Sequence, residues 1–128
     1  MKVLVLNLPL PPSVNALFAN VPGRGRQRTR AYRSWSKAAL DYAWLSKPYG
    51  GFPRFDGAFD VQITVPLKMR GDVDNRLKPV LDWLKKPGAI IADDEKAFSA
   101  TIARGEDVEP GFCRVYVYET AAIERTAS

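Results

Sequence analysis

Residues 59–84 read FDVQITVPLKMRGDVDNRLKPVLDWL. The spacing of apolar residues changes inside this stretch. Phe59, Val61, Ile63 and Val65 alternate with Asp60, Gln62 and Thr64, the period of two that marks a half-buried strand. Pro66 takes a donor out of the ladder and puts the strand's end near residue 67. Further on, Leu77, Val80, Leu81 and Leu84 recur at three- and four-residue steps, and Trp83 widens the stripe, as in an amphipathic helix. Asp74 or Asn75 can cap that helix. Pro79 is tolerable only if the first turn lies around it or one early hydrogen bond is lost. A strand that leads through an acidic turn into a helix predicts an α/β arrangement.

Upstream, Lys2 to Leu10 reads as a strand, with Val3, Val5 and Asn7 on one side and Leu4, Leu6 and Leu8 on the other. Both sides look apolar, so a central position is expected, ended by Pro9, Pro11 and Pro12. Ser13 to Gly25 reads as a loop. It runs into Arg24, Arg26, Arg28, Arg30, Arg33 and Lys37. Thr29 to Ser46 predicts a helix, with Tyr32, Trp35, Ala39 and Tyr42 on its buried face and a stop at Lys47 to Gly51. Downstream, Lys85 to Gly88 ends the second helix, and Ala89-Ile90-Ile91 delivers Asp93 and Asp94. Ala97 to Ala103 and Cys113 to Tyr118 read as a hairpin joined by Gly105 to Gly111. The expected organisation is one domain over residues 1–120 and a flexible tail over 121–128. Its class is α/β (α+β), a mixed sheet of about four strands packed with two main helices.

A chain of 128 residues suits one domain, and 46% hydrophobic residues suffice for a real core. A single cysteine, Cys113, excludes an intrachain disulfide framework and reads as a small core residue in a strand. With no histidine, imidazole acid–base chemistry and His-containing zinc sites are excluded. Catalysis would fall to carboxylates, lysine, arginine, hydroxyls or a metal held by oxygen. The apolar start, MKVLVLNLPLPP, is too short for a transmembrane helix. The expectation is a cytoplasmic protein without membrane contact. Net charge +5 and a pI of about 9.5 point towards a polyanionic partner such as nucleic acid.

Against that charge, carboxylates gather at Asp72, Asp74 and Asp82, and again at Asp93, Asp94 and Glu95. Asp72 and Asp74 stand at i and i+2, so on extended backbone both side chains point the same way. Two carboxylates that close repel by about 1 to 4 kcal/mol, a cost that a divalent cation removes. Oxygen-only ligands suit Mg²⁺ or Mn²⁺, and Asp94 would complete the cluster. Lys78, four residues after Asp74, lies on the same helical face, where it could stabilise charge on a phosphate or orient water. Asp82 continues that face and would orient Lys78. Spacing alone leaves another reading open: helix capping by aspartate and a surface ion-pair ladder Asp74-Lys78-Asp82 worth a few tenths of a kcal/mol. The run Arg24, Arg26, Arg28 and Arg30 is either a solvated loop or a set of phosphate contacts. Lys68 and Arg70 put positive charge beside the acidic pair. Tyr32, Trp35 and Tyr42 read as core, and Phe18, in a loop, as a possible base contact.

Three stretches together resemble the RusA-like Holliday junction resolvases, small phage- and prophage-associated endodeoxyribonucleases. They are LPLPPSVNALF at the N-terminus, GDVDNRLKPVLDWL in the middle and IIADDEKAF after it, in the family's order across most of residues 1–98. The middle one is specific, being similar to D-x-D-N-x-x-K-x-x-x-D-x-L at fixed offsets. The resemblance implies a homodimer that binds four-way junction DNA and cuts it with paired, symmetric, Mg²⁺-dependent nicks in recombination and repair. It implies that Asp72, Asp74 and Asp94 hold the metal and that Lys78 is the catalytic lysine. Asn75, Asp82 and Asp93 are supporting positions, and Asn15 of the first stretch joins the DNA-contacting set. Departures are Pro79 and the long arginine-rich loop, which put in question the aim of Lys78 and the mode of DNA binding. The alternatives are a non-catalytic branched-DNA-binding protein, and a metal-dependent nuclease acting on another branched DNA or on RNA.

Overall fold

The computed structural model describes residues 2–48, 51–86, 90–92 and 94–120, and the backbone alone of Asp94. In chain order the strands and helices are β1 (Val3–Pro9), β2 (Phe18–Val21), β3 (Gly25–Arg28), α1 (Arg30–Leu45), β4 (Phe59–Pro66), α2 (Leu77–Leu84), β5 (Ala97–Gly105) and β6 (Phe112–Glu119). Four strands form a mixed sheet in the order β1-β6-β4-β5, and β2-β3 form a separate two-stranded sheet. The result is the expected α+β domain, with two helices on one sheet.

The alternation of side chains decides which face is covered. Leu4, Leu6 and Leu8 stand opposite Val117, Val115 and Cys113, and Val61 and Ile63 stand on the other side of Val117 and Val115. All are buried. Tyr32, Trp35, Ala39 and Ala43 of α1 and Val80, Trp83 and Leu84 of α2 complete this core. The helices are joined through tryptophans. Trp35 and Trp83 meet edge to face at 6.4 Å. Trp83 Nε1 donates to Ser36 O at 3.2 Å, and Trp35 Nε1 to Pro9 O at 2.8 Å. Truncating a ring as buried as Trp83 costs about 3–5 kcal/mol. The opposite sheet face is open, with Val3, Val5, Asn7, Gln62 and Thr101 exposed and Tyr116 and Tyr118 half-buried.

Several sequence expectations change. β1 is an edge strand, not a central one: Val3 and Val5 are 55% and 42% exposed, so apolar residues on both sides of a strand did not mean two covered faces. Residues read as a loop and an arginine run form the β2-β3 hairpin. β5 and β6 are not a hairpin, because β4 lies between them, antiparallel to β6 and parallel to β5. The unit β4-α2-β5 is therefore a crossover between parallel strands, which the long 106–111 connection allows β6 to follow. β4 was expected half-buried, yet its Asp60 is buried as well. Its carboxylate accepts hydrogen bonds from Ser99 Oγ at 2.5 Å and Thr120 Oγ1 at 2.6 Å. In α1, Ala43 takes the buried place expected for Tyr42, which is 40% exposed. Pro79 is the third residue of α2, where no amide has an intrahelical acceptor, so no bond is lost. Cys113 is fully buried. The tail expected over 121–128 lies outside the described residues. Among the described residues no helix is long and apolar enough to cross a membrane.

Candidate functional site

The acidic turn is held from two sides. After β4 the chain folds back through Met69 N→Pro66 O at 3.1 Å. It passes Gly71 at φ +91°, a conformation that glycine adopts without steric cost. Arg104 of β5 donates to three successive alternate carbonyls: Leu67 O at 3.1 Å, Met69 O, and Gly71 O at 2.9 Å. Val73–Arg76 then forms a single 3₁₀ turn that runs into α2. Arg76 reaches back across the site, and its Nη1 donates to Pro11 O. Its buried Nε has no hydrogen-bond partner.

Asp72 stands at the start of that turn on extended backbone and makes no capping bond with its side chain. Asp74 lies inside the turn, and both are exposed. They therefore do not share one extended segment, and neither Asp74 nor Asn75 caps α2; Arg76 occupies that position. Asn75 is half-buried. On α2, Lys78 Nζ is 3.1 Å from Asp82 Oδ1 and Lys85 Nζ is 3.5 Å from the same oxygen. As surface pairs these add little stability; they hold Asp82 against Lys78, a contact that fits both the orienting role and the surface ion-pair ladder. Asp93 and the side chain of Asp94 lie outside the described residues. Among the described residues no group of three acidic, histidine or cysteine side chains is placed to hold a metal. Asp72 and Asp74 still fit one by donor chemistry: two exposed carboxylates on a braced turn, one of them excused from capping. Mg²⁺ commonly takes one or two carboxylates and fills its shell with water and phosphate oxygens.

Basic residues flank this turn in the chain and follow the 3₁₀ turn packed beside it. Lys68 and Arg70 are exposed in the segment Arg104 holds. Asn15 lies in the short 3₁₀ turn Val14–Ala16, which packs beside Val73–Arg76. From there the β2-β3 hairpin projects, with Arg24, Arg26 and Arg28 exposed along it and Arg30 exposed at the start of α1. Thr29 fastens its base. Its Oγ1 donates to Ala16 O at 2.6 Å and accepts from Tyr32 N at 3.2 Å, a cap worth about 1 kcal/mol. Phe18, half-buried, carries Arg26 over its ring at 4.2 Å and meets Tyr32 edge to face at 5.8 Å.

Four groups were not foreseen. Arg104 and Arg76 act as braces. Tyr32 and Lys86 link the hairpin to α2: Lys86 Nζ is 3.5 Å from the Tyr32 hydroxyl and 4.6 Å from its ring centroid. Burial, and then the charge of Asp82, pushes the Tyr32 phenol above its ordinary range. Burial, and then Arg28, pulls the Lys86 ammonium below its own. A signal for Arg104 did exist, since it follows Ala100 and Ile102 at alternate positions opposite Val61, Ile63 and Val65. A charge in that row needs acceptors. No family model matches the chain, and no curated protein matches it.

Proposed function

We propose that the chain is a Mg²⁺-dependent endodeoxyribonuclease that resolves four-way DNA junctions by symmetric paired nicks, acting as a homodimer. The observation that carries this reading is the braced turn between β4 and α2. It presents Asp72 and Asp74 to solvent, sets Lys78 against Asp82 one helical turn on, and stands at the foot of an arginine-bearing hairpin. These are the residues of the signature that resembles the RusA-like resolvases.

In this reading Asp72 and Asp74, with Asp94, hold the metal. The bound ion would lower the pKa of a water and neutralise the phosphate under attack. Water adds to phosphorus as the bond to the 3′ oxygen breaks and that oxygen takes up a proton, leaving a 5′-phosphate and a 3′-hydroxyl. Lys78, aimed by Asp82, offsets the negative charge that builds on the phosphate oxygens. Lys68, Arg70 and the hairpin arginines grip the backbone on either side, so choice of substrate follows junction shape more than base sequence. A two-fold dimer gives one site for each strand cut. The open sheet face, with Val3 and Val5 exposed beside Tyr116 and Tyr118, supplies an apolar surface for pairing.

The test is cleavage of a synthetic four-way junction beside a matched linear duplex, in Mg²⁺ and in EDTA. Paired nicks in the junction alone are expected, abolished by EDTA and by Asp74→Asn, while the variant still binds. Binding without cutting in either Mg²⁺ or Mn²⁺ would make this a branched-DNA-binding protein. Cutting of other branched DNA or of RNA in preference would move the activity to another nuclease class.

A further inference from the structure

The segment just after α2 and the hairpin converge on Tyr32. Lys86 lies over one part of its ring at 4.6 Å and Arg28 over it at 5.5 Å. Arg33 Nη1 donates to Arg28 O at 2.7 Å and so braces the strand that carries Arg28. Through Phe18 the seam continues to Arg26. Lys85 stands beside Lys86 and shares Asp82 with Lys78. Six cations thus line one path, with Asp82 as the carboxylate among them in these contacts. Stacking on aromatic rings keeps Arg26, Arg28 and Lys86 aligned without neutralising them. The partial burial of Lys86 beside Arg28 disfavours its charge, a cost that an anion placed between them would remove.

We infer that Lys86, with Lys85 and Arg28 around the Tyr32 ring, binds the phosphodiester backbone of the DNA arm that leads away from the cut. Lys85 is the C-cap of α2, seven residues after Lys78 and about 10 Å along the helix axis, and Lys86 follows it directly. That spans about three nucleotide steps of B-form duplex at ~3.4 Å each. The seam therefore extends the grip from the acidic turn to phosphates beyond the scissile one. This rests on the DNA-cleaving reading of the acidic turn, but it assigns Lys85, Lys86 and the Tyr32 ring, which that reading left without a role.

The probes are a synthetic four-way junction, a matched linear DNA duplex and an RNA duplex of the same sequence, each titrated by fluorescence anisotropy in EDTA at several salt concentrations. For Lys86→Gln the slope of log affinity against log salt should fall by about 0.9, the loss of one phosphate contact. The gap between wild type and variant should then narrow about 3.5-fold between 50 and 200 mM salt. The junction and the linear duplex should suffer alike. Lys86→Arg should restore the slope, and Lys2→Gln, at the far end of β1, should leave it unchanged. Melting curves establish that each variant is folded. A slope unchanged in a folded Lys86→Gln protein that still cuts junctions overturns the seam alone. An effect confined to the RNA duplex overturns the DNA assignment. Wild type that binds none of the probes overturns both the seam and the nuclease reading.

Discussion

Arg104 offers the sharpest test of how the acidic turn is built. Arg104→Gln keeps polarity but shortens the side chain and removes the charge and the forked set of donors. Three carbonyls lose a partner: Leu67 O, Met69 O and Gly71 O. Those of Leu67 and Gly71 sit on exposed residues and regain water, so each is worth about 0.5–1 kcal/mol. The bond to Met69 O, partly buried, is a charged one worth about 1.5–3 kcal/mol. Because a single side chain makes all three, the terms overlap, and the expected loss is about 2–3 kcal/mol. In a domain of this size that lowers the melting temperature by about 10 °C. The consequence at the site is larger than the loss of stability. Residues 67–71 end one position before Asp72, and misplacement of reacting groups by about 1 Å can cost 100-fold in rate. Junction cleavage well below the melting temperature should therefore fall about 10- to 100-fold, and raised Mg²⁺ should recover part of it. Arg104→Lys, which retains charge without the fork, should fall between. Circular dichroism melts, amide exchange at Gly71 and Asp72 and a cleavage assay read the three effects. If Arg104→Gln melts and cuts like the wild type, the guanidinium does not hold the turn and the proposed route from β5 to the acids is wrong.

Other outcomes follow from single contacts. A Cβ built on Gly105 lies 2.5 Å from Thr64 Cγ2, so Gly105→Ala should destabilise by about 1–3 kcal/mol in urea unfolding. Thr64→Ser, which removes that methyl, should recover most of the loss. Burial pushes the Cys113 thiol up from 9.0 to about 12, so the native protein at pH 8 should resist a disulfide reagent that labels it at once in denaturant. Because the folded pKa is raised, the thiol's contribution to stability is complete below pH 9 and is lost as the pH rises towards about 12. Cys113→Ala should lack that component of alkaline destabilisation. A thiol that reacts in the folded state at pH 8 would mean that this strand opens far more easily than its packing allows.

What could be read from the chain was what is local. Period-two and period-3.6 patterns located β1, β4, α1 and α2 because each buries one face, and burial is what such patterns record. Pairing of strands was less accessible. The apolar residues of β1 pointed to a central strand, yet Val3 and Val5 are open. The 97–118 segment looked like a hairpin because two strand-like runs flanked a glycine-bounded turn. Nothing local told β6 to pair with β1 and β4 instead of β5, a choice made by the whole sheet. The arginine run failed for a different reason. Its strands are short, polar and exposed, so they show no hydrophobic period at all, and the hairpin is held by Thr29 and by stacking on Phe18 and Tyr32.

The candidate site divides along the same line. Asp72, Asp74, Lys78 and Asp82 fall within eleven residues, so their order could be read directly from the chain. The groups that give the turn its shape come from elsewhere: Arg104 from β5, and the carbonyl of Pro11 for Arg76 from the N-terminal segment. This separation has a physical cause. Exposed carboxylates two positions apart repel, and a turn built only from its own residues would relax that repulsion by opening. Anchors that belong to the sheet and to β1's exit tie the turn that carries the acids to the core. Basic residues near the acids do a different task. Lys68 and Arg70 are exposed, while Arg26, Arg28 and Lys86 lie against the rings of Phe18 and Tyr32 and lose freedom there. On the proposed reading, a polyanion that reaches the acidic turn meets cations already positioned along its path, and it need not order them on arrival.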